Sequence, residues 1–223
     1  MTVVRRAVAE LVGTAFLVMA VIGSGIMATR LSPGDVGLQL LQNSIATGAV
    51  LVALILALQP VSASFNPVVT LVEAARGRVP AGDVASLIGA QLVGGVAGAV
   101  VANLMFDLDA VSLATTERSG SGVWLAEVVA TVGFVLVVAG SLRSDRPENV
   151  AFAVGGYIAA AYWFTSSTSF ANPAVTVARM LSDSFAGIAP GSVPMFLLMQ
   201  LAGGAVALAL VRLLFPTPTE VTS

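Results

Sequence analysis

The sequence predicts an all-α membrane protein: six transmembrane helices plus two re-entrant half-helices, built as an inverted repeat. Three observations point there. Of the 223 residues, 57% are hydrophobic and only 10% charged, whereas an average soluble domain is roughly one-quarter charged. Six apolar windows are long enough to cross about 30 Å of hydrocarbon, which takes roughly 20 helical residues. Three short signatures also occur twice, in the same order along the chain.

The six windows fall at about 7–29, 38–59, 84–106, 123–142, 150–166 and 192–215. The first follows Arg5 and Arg6, carries Glu10 and precedes several blocks like it, so it is expected to stay in the mature chain and not to be cleaved as a signal peptide. Between the second and third windows, and again between the fifth and sixth, lie shorter apolar pieces near 66–76 and 172–182. Each opens with Asn-Pro, and neither is long enough to cross alone. Asparagine is a favoured N-cap and proline suits the first helical position, so Asn66-Pro67 and Asn172-Pro173 read as two helix starts. A lone Asn-Pro would be read as a turn; a matched pair inside a repeat is not.

The repeat is explicit. Ala9–Thr14 (AELVGT) matches Ala126–Thr131 (AEVVAT), Asn66–Leu71 (NPVVTL) matches Asn172–Val177 (NPAVTV), and Gln91–Gly95 (QLVGG) matches Gln200–Gly204 (QLAGG), at offsets of 117, 106 and 109 residues. The economical explanation is an internal duplication within one domain, 1–223, with repeats at about 1–110 and 120–215. Three full spans per half is an odd number, so the second copy lies upside down relative to the first. The two Asn-Pro segments then enter from opposite faces. A half-helix of about 10 residues rises about 15 Å, so two of them meet at mid-membrane with their N-termini facing.

All ten basic residues are arginine. Arg5, Arg6, Arg76, Arg78, Arg143, Arg146 and Arg212 fall on one side, and Arg30, Arg118 and Arg179 on the other. The positive-inside rule makes the first side cytoplasmic, with both termini inside. The polar stretch Phe106–Gly122 is then an external loop, expected to be only a connector.

The chain has no cysteine and no histidine. Disulfides, thiolate or imidazole metal sites and His-based acid–base pairs are therefore excluded, no cofactor is expected, and a nucleophile–base pair of the kind an intramembrane enzyme needs cannot be assembled. Asp107 and Asp109 lie in a polar loop and do not face each other within spans, which also argues against an aspartyl dyad. A net charge of −2 suggests no nucleic-acid partner.

Two facing half-helix N-termini, each equivalent to about +0.5 charge, form a barrier to cations in a medium of low dielectric constant. If the Asn66 and Asn172 amides point into a pore instead of folding back as caps, they offer N–H donors to a passing hydroxyl. The extended residues before each half-helix, Ser62 to Phe65 and Thr168 to Ala171, leave carbonyls free, which is tolerable in a membrane only where they line water or are buried. Glu10 and Glu127, at matched positions, are expected as structural buried groups that accept from N–H groups of these irregular stretches. The glycine clusters Gly94–Gly98 and Gly203–Ala207 read as small-residue helix contacts. Arg179 can be a pore or a membrane-surface residue; its place seven residues after Asn172 favours the surface.

These motifs together resemble the major intrinsic proteins, the aquaporin and aquaglyceroporin family, over essentially the whole chain. The resemblance implies one pore per protomer, passive conduction of small neutral solutes across the bilayer, and a homotetramer in the plasma (inner) membrane. The departures concern substrate. The first motif reads Asn66-Pro67-Val68 in place of Asn-Pro-Ala, and Val68 is expected to crowd the half-helix contact slightly. The second keeps Asn172-Pro173-Ala174, but the arginine that usually follows it in the family, forming the cationic wall of the narrowest constriction, is Val175.

The remaining constriction positions fall, by the same resemblance, at Thr47 (or Ala46), Ala160 (or Ala159) and Ser169 (or Thr168 or Phe170). Thr47, Ala160, Ser169 and Val175 imply a wider, less polar constriction than in a strict water channel, without its fixed positive charge. The stretch Ser169–Pro190 is similar to family members associated with bacterial arsenic resistance. That similarity implies conduction of trivalent arsenicals, arsenite and methylarsenite, alongside water and glycerol. A glycerol or urea facilitator and a general water channel are the near alternatives. An ion-coupled secondary transporter also uses broken helices, but needs a coupling-ion site that no span carboxylate is free to supply.

Overall fold

A computed structural model of the protein describes residues 1–143 and 149–215; Arg146 lies outside them. The described residues fold into α1 (Val3–Leu31), α2 (Val36–Leu58), α3 (Pro67–Ala75), α4 (Ala81–Met105), α5 (Ser121–Ser141), α6 (Asn149–Phe164), α7 (Pro173–Arg179) and α8 (Val193–Leu214), the last preceded by a 3₁₀ turn at Pro190–Ser192. Among the described residues there is no strand. Five helices combine the length and apolar composition of a membrane span, and the expected fifth span is the shorter, 16-residue α6. The two pieces that open with Asn-Pro are the short helices α3 and α7, of 9 and 7 residues.

Packing follows the same plan in both halves. Helix α1 packs on α4 and α5 on α8, α2 crosses to α6, and each half-helix lies on a long helix of the other half, α3 on α8 and α7 on α4. Lipid tails are as apolar as leucine, so tight backbone approach has to drive these contacts. The glycine clusters provide it. A Cβ at Gly94 would run into the Leu11 carbonyl and one at Gly98 into that of Ala15, while a Cβ at Gly203 would meet the Val128 carbonyl oxygen at 2.8 Å. Gly48 and Gly155 do the same where α2 crosses α6, each having the other's carbonyl oxygen within 2.9 Å of where its Cβ would sit.

Val68 does not crowd the contact between the half-helices. It is buried against α8, where Gly204 leaves it room; a Cβ at Gly204 would sit 2.6 Å from Val68 Cγ1. In the other half, Gly95 takes the equivalent place opposite the smaller Ala174.

The arginines divide between two ends. At one, Arg6 pairs with Asp83 at 2.9 Å, Glu73 binds Arg76 and Arg78, Arg212 donates to the Ala75 carbonyl and Arg143 to that of Phe215. At the other, Arg30 donates to the Phe106 carbonyl and Arg118 to that of Gly187. The loop from Phe106 to Gly122 is more than a connector. Its backbone bonds Met180, Leu181 and Ala189, and Thr115 donates to Asp183, so it closes over the end of α7.

Gly94→Ala should destabilise the protein by about 1–3 kcal/mol through overpacking. Gly89→Ala, on the same helix with open space beside it, should be neutral or stabilising by up to about 1 kcal/mol. Thermal unfolding of the two variants in detergent checks the contrast.

Candidate functional site

The site is built around the place where α3 and α7 start. Asn66 and Asn172 both cap their helices: Asn66 Oδ1 accepts from the Val68 N–H at 3.0 Å, and Asn172 Oδ1 from Ala174 and Val175 at 3.0 and 3.3 Å. Each amide nitrogen then reaches into the other half of the chain. Asn66 Nδ2 donates to the Ala171 carbonyl at 2.8 Å and Asn172 Nδ2 to that of Phe65 at 2.7 Å. Capping and outward donation are thus not alternatives, because the carbonyl oxygen caps while the amide group ties the two halves together. Each amide keeps a second N–H outside these bonds, and two carbonyls leave the expected acceptor ladder.

The chain before each Asn is strained. Phe65, Thr168, Ser169 and Ala171 have φ of 47°, 61°, 51° and 46°, values that cost a non-glycine residue of order 1–3 kcal/mol. Two fully buried glutamates hold it. Glu10 accepts from the backbone N–H groups of Ser64 and Phe65 at 2.9 and 2.7 Å, and Glu127 from those of Phe170 and Ala171 at 2.9 and 3.0 Å.

Each carboxyl is completed by a glutamine of the repeated Gln-Leu motif: Gln91 Nε2 donates to Glu10 at 2.7 Å and Gln200 Nε2 to Glu127 at 2.6 Å. The same nitrogens reach Thr70 and Thr176, whose hydroxyls donate back to the carbonyls of Asn66 and Asn172. Read only as part of a glycine contact, those glutamines are missed by the sequence argument. Their signal was present in the repeat itself, since a polar residue recurs inside two apolar spans.

From the Asn pair toward the Arg118 end lies a narrow cavity of about 40 Å³, room for two or three water molecules. The long helices and α7 line it with residues four apart, which share a helix face: Leu17 and Val21, Thr47 and Leu51, Ile158 and Tyr162, Val175 and Arg179. On the opposite side of the Asn pair the space opens to about 340 Å³, walled in part by Ser62–Phe65, Glu73 and Arg78.

Thr47, Ser169 and Val175 therefore meet in one cavity, with Phe170 beside them. Ala160 does not join them. It is exposed on the outside of α6, two residues, or about 200° of helix, from both Ile158 and Tyr162. Ala159 is no substitute, since it packs against Gly48. Tyr162 occupies that wall, its hydroxyl 3.1 Å from Thr47 Oγ1. Counting back from Asn172 misplaces this wall by two residues, because the chain from Thr165 to Ala171 is not helical and helix periodicity does not carry across it.

The surface assignment of Arg179 is also corrected. The residue is 2% exposed and lines the cavity one turn after Val175. Its guanidinium carbon lies 3.4 Å from the centre of the Phe170 ring and its Nε donates to the Ala186 carbonyl. Arg118 approaches the same ring at 5.0 Å, its own pKa drawn below the ordinary arginine value by burial and partly restored by Tyr162 and Glu127. The narrow part is accordingly mostly apolar in its lining but not uncharged.

The model of the family described as "Major intrinsic protein" matches residues 1–146 and 116–222, which together take in nearly all of the chain. The chain belongs to the major intrinsic protein family. As a member of this family of passive channels it is an integral membrane protein and not an enzyme. It is 50% identical over 209 residues to an aquaglyceroporin, AqpS, of Rhizobium meliloti (strain 1021), covering 93% of this chain and 89% of that protein. To aquaporin Z of Rhodopseudomonas palustris it is 32% identical, with 97% and 96% of the two chains covered. The X-ray structure of the aquaglyceroporin from Plasmodium falciparum superposes with a TM-score of 0.71 at 16% identity, over 96% of this chain and 98% of that one, a likeness of fold.

Within that fold, Glu127→Ala should leave two backbone N–H groups and Gln200 without their acceptor, at about 1–3 kcal/mol each. Little folded protein is expected by size-exclusion chromatography in detergent. Glu127→Gln, which keeps one acceptor oxygen, should be recovered in greater yield.

Proposed function

We propose that this major intrinsic protein conducts small neutral solutes passively, with trivalent arsenicals (arsenite and methylarsenite) as its main cargo beside water and glycerol. The carrying observation is Val175. It stands directly after Asn172-Pro173-Ala174 and lines the narrow cavity, so it sets an apolar wall in the same space that the Thr47–Tyr162 hydroxyl pair borders. A solute with hydroxyls on one side and a methyl group or lone pair on the other finds a partner for each. The relative named an aquaglyceroporin, at 50% identity, supports a pore that passes more than water.

The roles divide along the path. Asn66 and Asn172 offer their spare N–H groups where the half-helices meet, and the facing helix N-termini oppose cations there. The Ser62–Phe65 and Thr168–Ala171 segments supply carbonyls on either side, and Glu10 and Glu127 hold those segments in place. The repeats at about 1–110 and 120–215 lie inverted in the plasma (inner) membrane, with both termini cytoplasmic as the arginine distribution favours, and four protomers assemble as a homotetramer.

Uptake into cells or proteoliposomes across a panel of water, glycerol, urea, arsenite and methylarsenite tests the reading. Arsenical flux above that of empty vesicles, independent of a Na⁺ or H⁺ gradient, is expected. Water flux without arsenical flux would overturn it, and polyol uptake exceeding arsenical uptake would favour a glycerol or urea facilitator. Val175→Arg should suppress glycerol and arsenical flux more strongly than water flux. Equal loss of both at normal protein levels would place Val175 outside the constriction.

A further inference from the structure

Arg179 is a buried cation for which the roles above have no use. Among the described residues it makes no ion pair. Its single hydrogen bond to protein there is from Nε to the Ala186 carbonyl. An arginine carries five N–H donors, and the one bond to Ala186 leaves the Nη groups of Arg179 to the cavity it lines. The guanidinium is locked in position all the same. It stacks on Phe170, which is wedged edge-on against Phe196 at 5.0 Å between ring centres.

Three further groups converge on the same small space. Ser169 lines it and its hydroxyl, buried, has no hydrogen-bond partner. The Thr47 and Tyr162 hydroxyls bond each other on its wall and retain acceptor capacity. Leu51 and Ile158 complete it with apolar surface. A rigid guanidinium without an ion pair, an orphan hydroxyl and a hydroxyl pair stand around a mostly apolar space of about 40 Å³, room for one small oxygen-bearing molecule.

We infer that Arg179 is a specificity-determining residue of this pore: one turn beyond Val175, it donates hydrogen bonds to the oxygens of each hydroxylated solute and repels cations at the narrow end. This rests on the channel reading above and refines it. The apolar wall and the cation are separate residues in this chain, stacked along one face of α7. A solute meets the guanidinium and the apolar wall in succession. Arg118, approaching the same Phe170 ring, adds to the positive potential.

The test measures stopped-flow water and glycerol permeability and passive H⁺ and K⁺ leak in proteoliposomes of the full chain, for wild type, Arg179→Met and Arg179→Lys. Wild-type flux decides the channel reading by itself. For the inference, Arg179→Met should raise the cation leak about tenfold or more, since a unit charge beside a low-dielectric path shifts the barrier by several RT. It should also lower the glycerol-to-water ratio several-fold. Arg179→Lys keeps the charge but loses the planar fork, so the leak should stay low while the ratio falls.

A residue that only anchored the Ala186 loop would change yield and melting temperature and leave both readouts where they were. Unchanged leak and unchanged ratio in the methionine variant would overturn the inference. Should that variant fail to accumulate, an unchanged ratio in the lysine variant would do so.

Discussion

A chain that leaves its helix halfway through a membrane frees peptide N–H and C=O groups where no lipid can bond them, and here Glu10 and Glu127 meet that demand. Each is fully buried, each takes two successive backbone N–H groups of the segment before a half-helix, and each is fixed by a glutamine from another span. The left-handed residues at Phe65 and Ala171 can persist because these bonds over-determine them. Once they persist, the Asn-Pro pairs that follow are aimed at each other, and Asn66 and Asn172 close the junction by reciprocal bonds. The starts of both half-helices are set by this arrangement.

The second constraint is closeness of approach. Half-helices of 9 and 7 residues are too short to be stable on their own, and each is pressed against a long helix of the other half at a glycine, α7 at Gly95 and α3 at Gly204. At this contact the two halves differ, Val68 standing where the other has Ala174. The larger side chain is taken up by Gly204 and leaves the half-helix junction undisturbed. A difference in motif thus becomes a difference in packing against α8 and leaves the path itself alone.

Much of the architecture was legible because it depends on local rules. Apolar length marks spans, Asn-Pro marks a helix start, and a carboxylate inside a span, met twice at matched positions, implies a partner that must itself be buried. The repeat made each of these inferences stronger by supplying a second, independent instance. What local rules could not carry was the register of the wall opposite α7. Counting along a helix is safe, but counting across Thr165 to Ala171 is not, because that stretch is not helical and three of its residues, Thr168, Ser169 and Ala171, are left-handed. That is why Ala160 falls outside the cavity and Tyr162 inside it.

By itself the sequence determined the membrane class, the half-helices, the inversion expected of an odd number of spans per half, the pairing of the glutamates, and the absence of cysteine and histidine chemistry. It also determined that an apolar residue, Val175, directly follows the second Asn-Pro-Ala motif. Only the tertiary structure decided the charge of the narrow part. Arg179 is seven residues from Asn172 and looks peripheral along the chain, yet Phe170 from before the half-helix and Ala186 from after it hold its guanidinium beside the cavity, while the Phe106–Gly122 loop brings in Arg118. The physical reason is that burial of a charge is a property of everything folded around it, and no window of sequence contains those neighbours together.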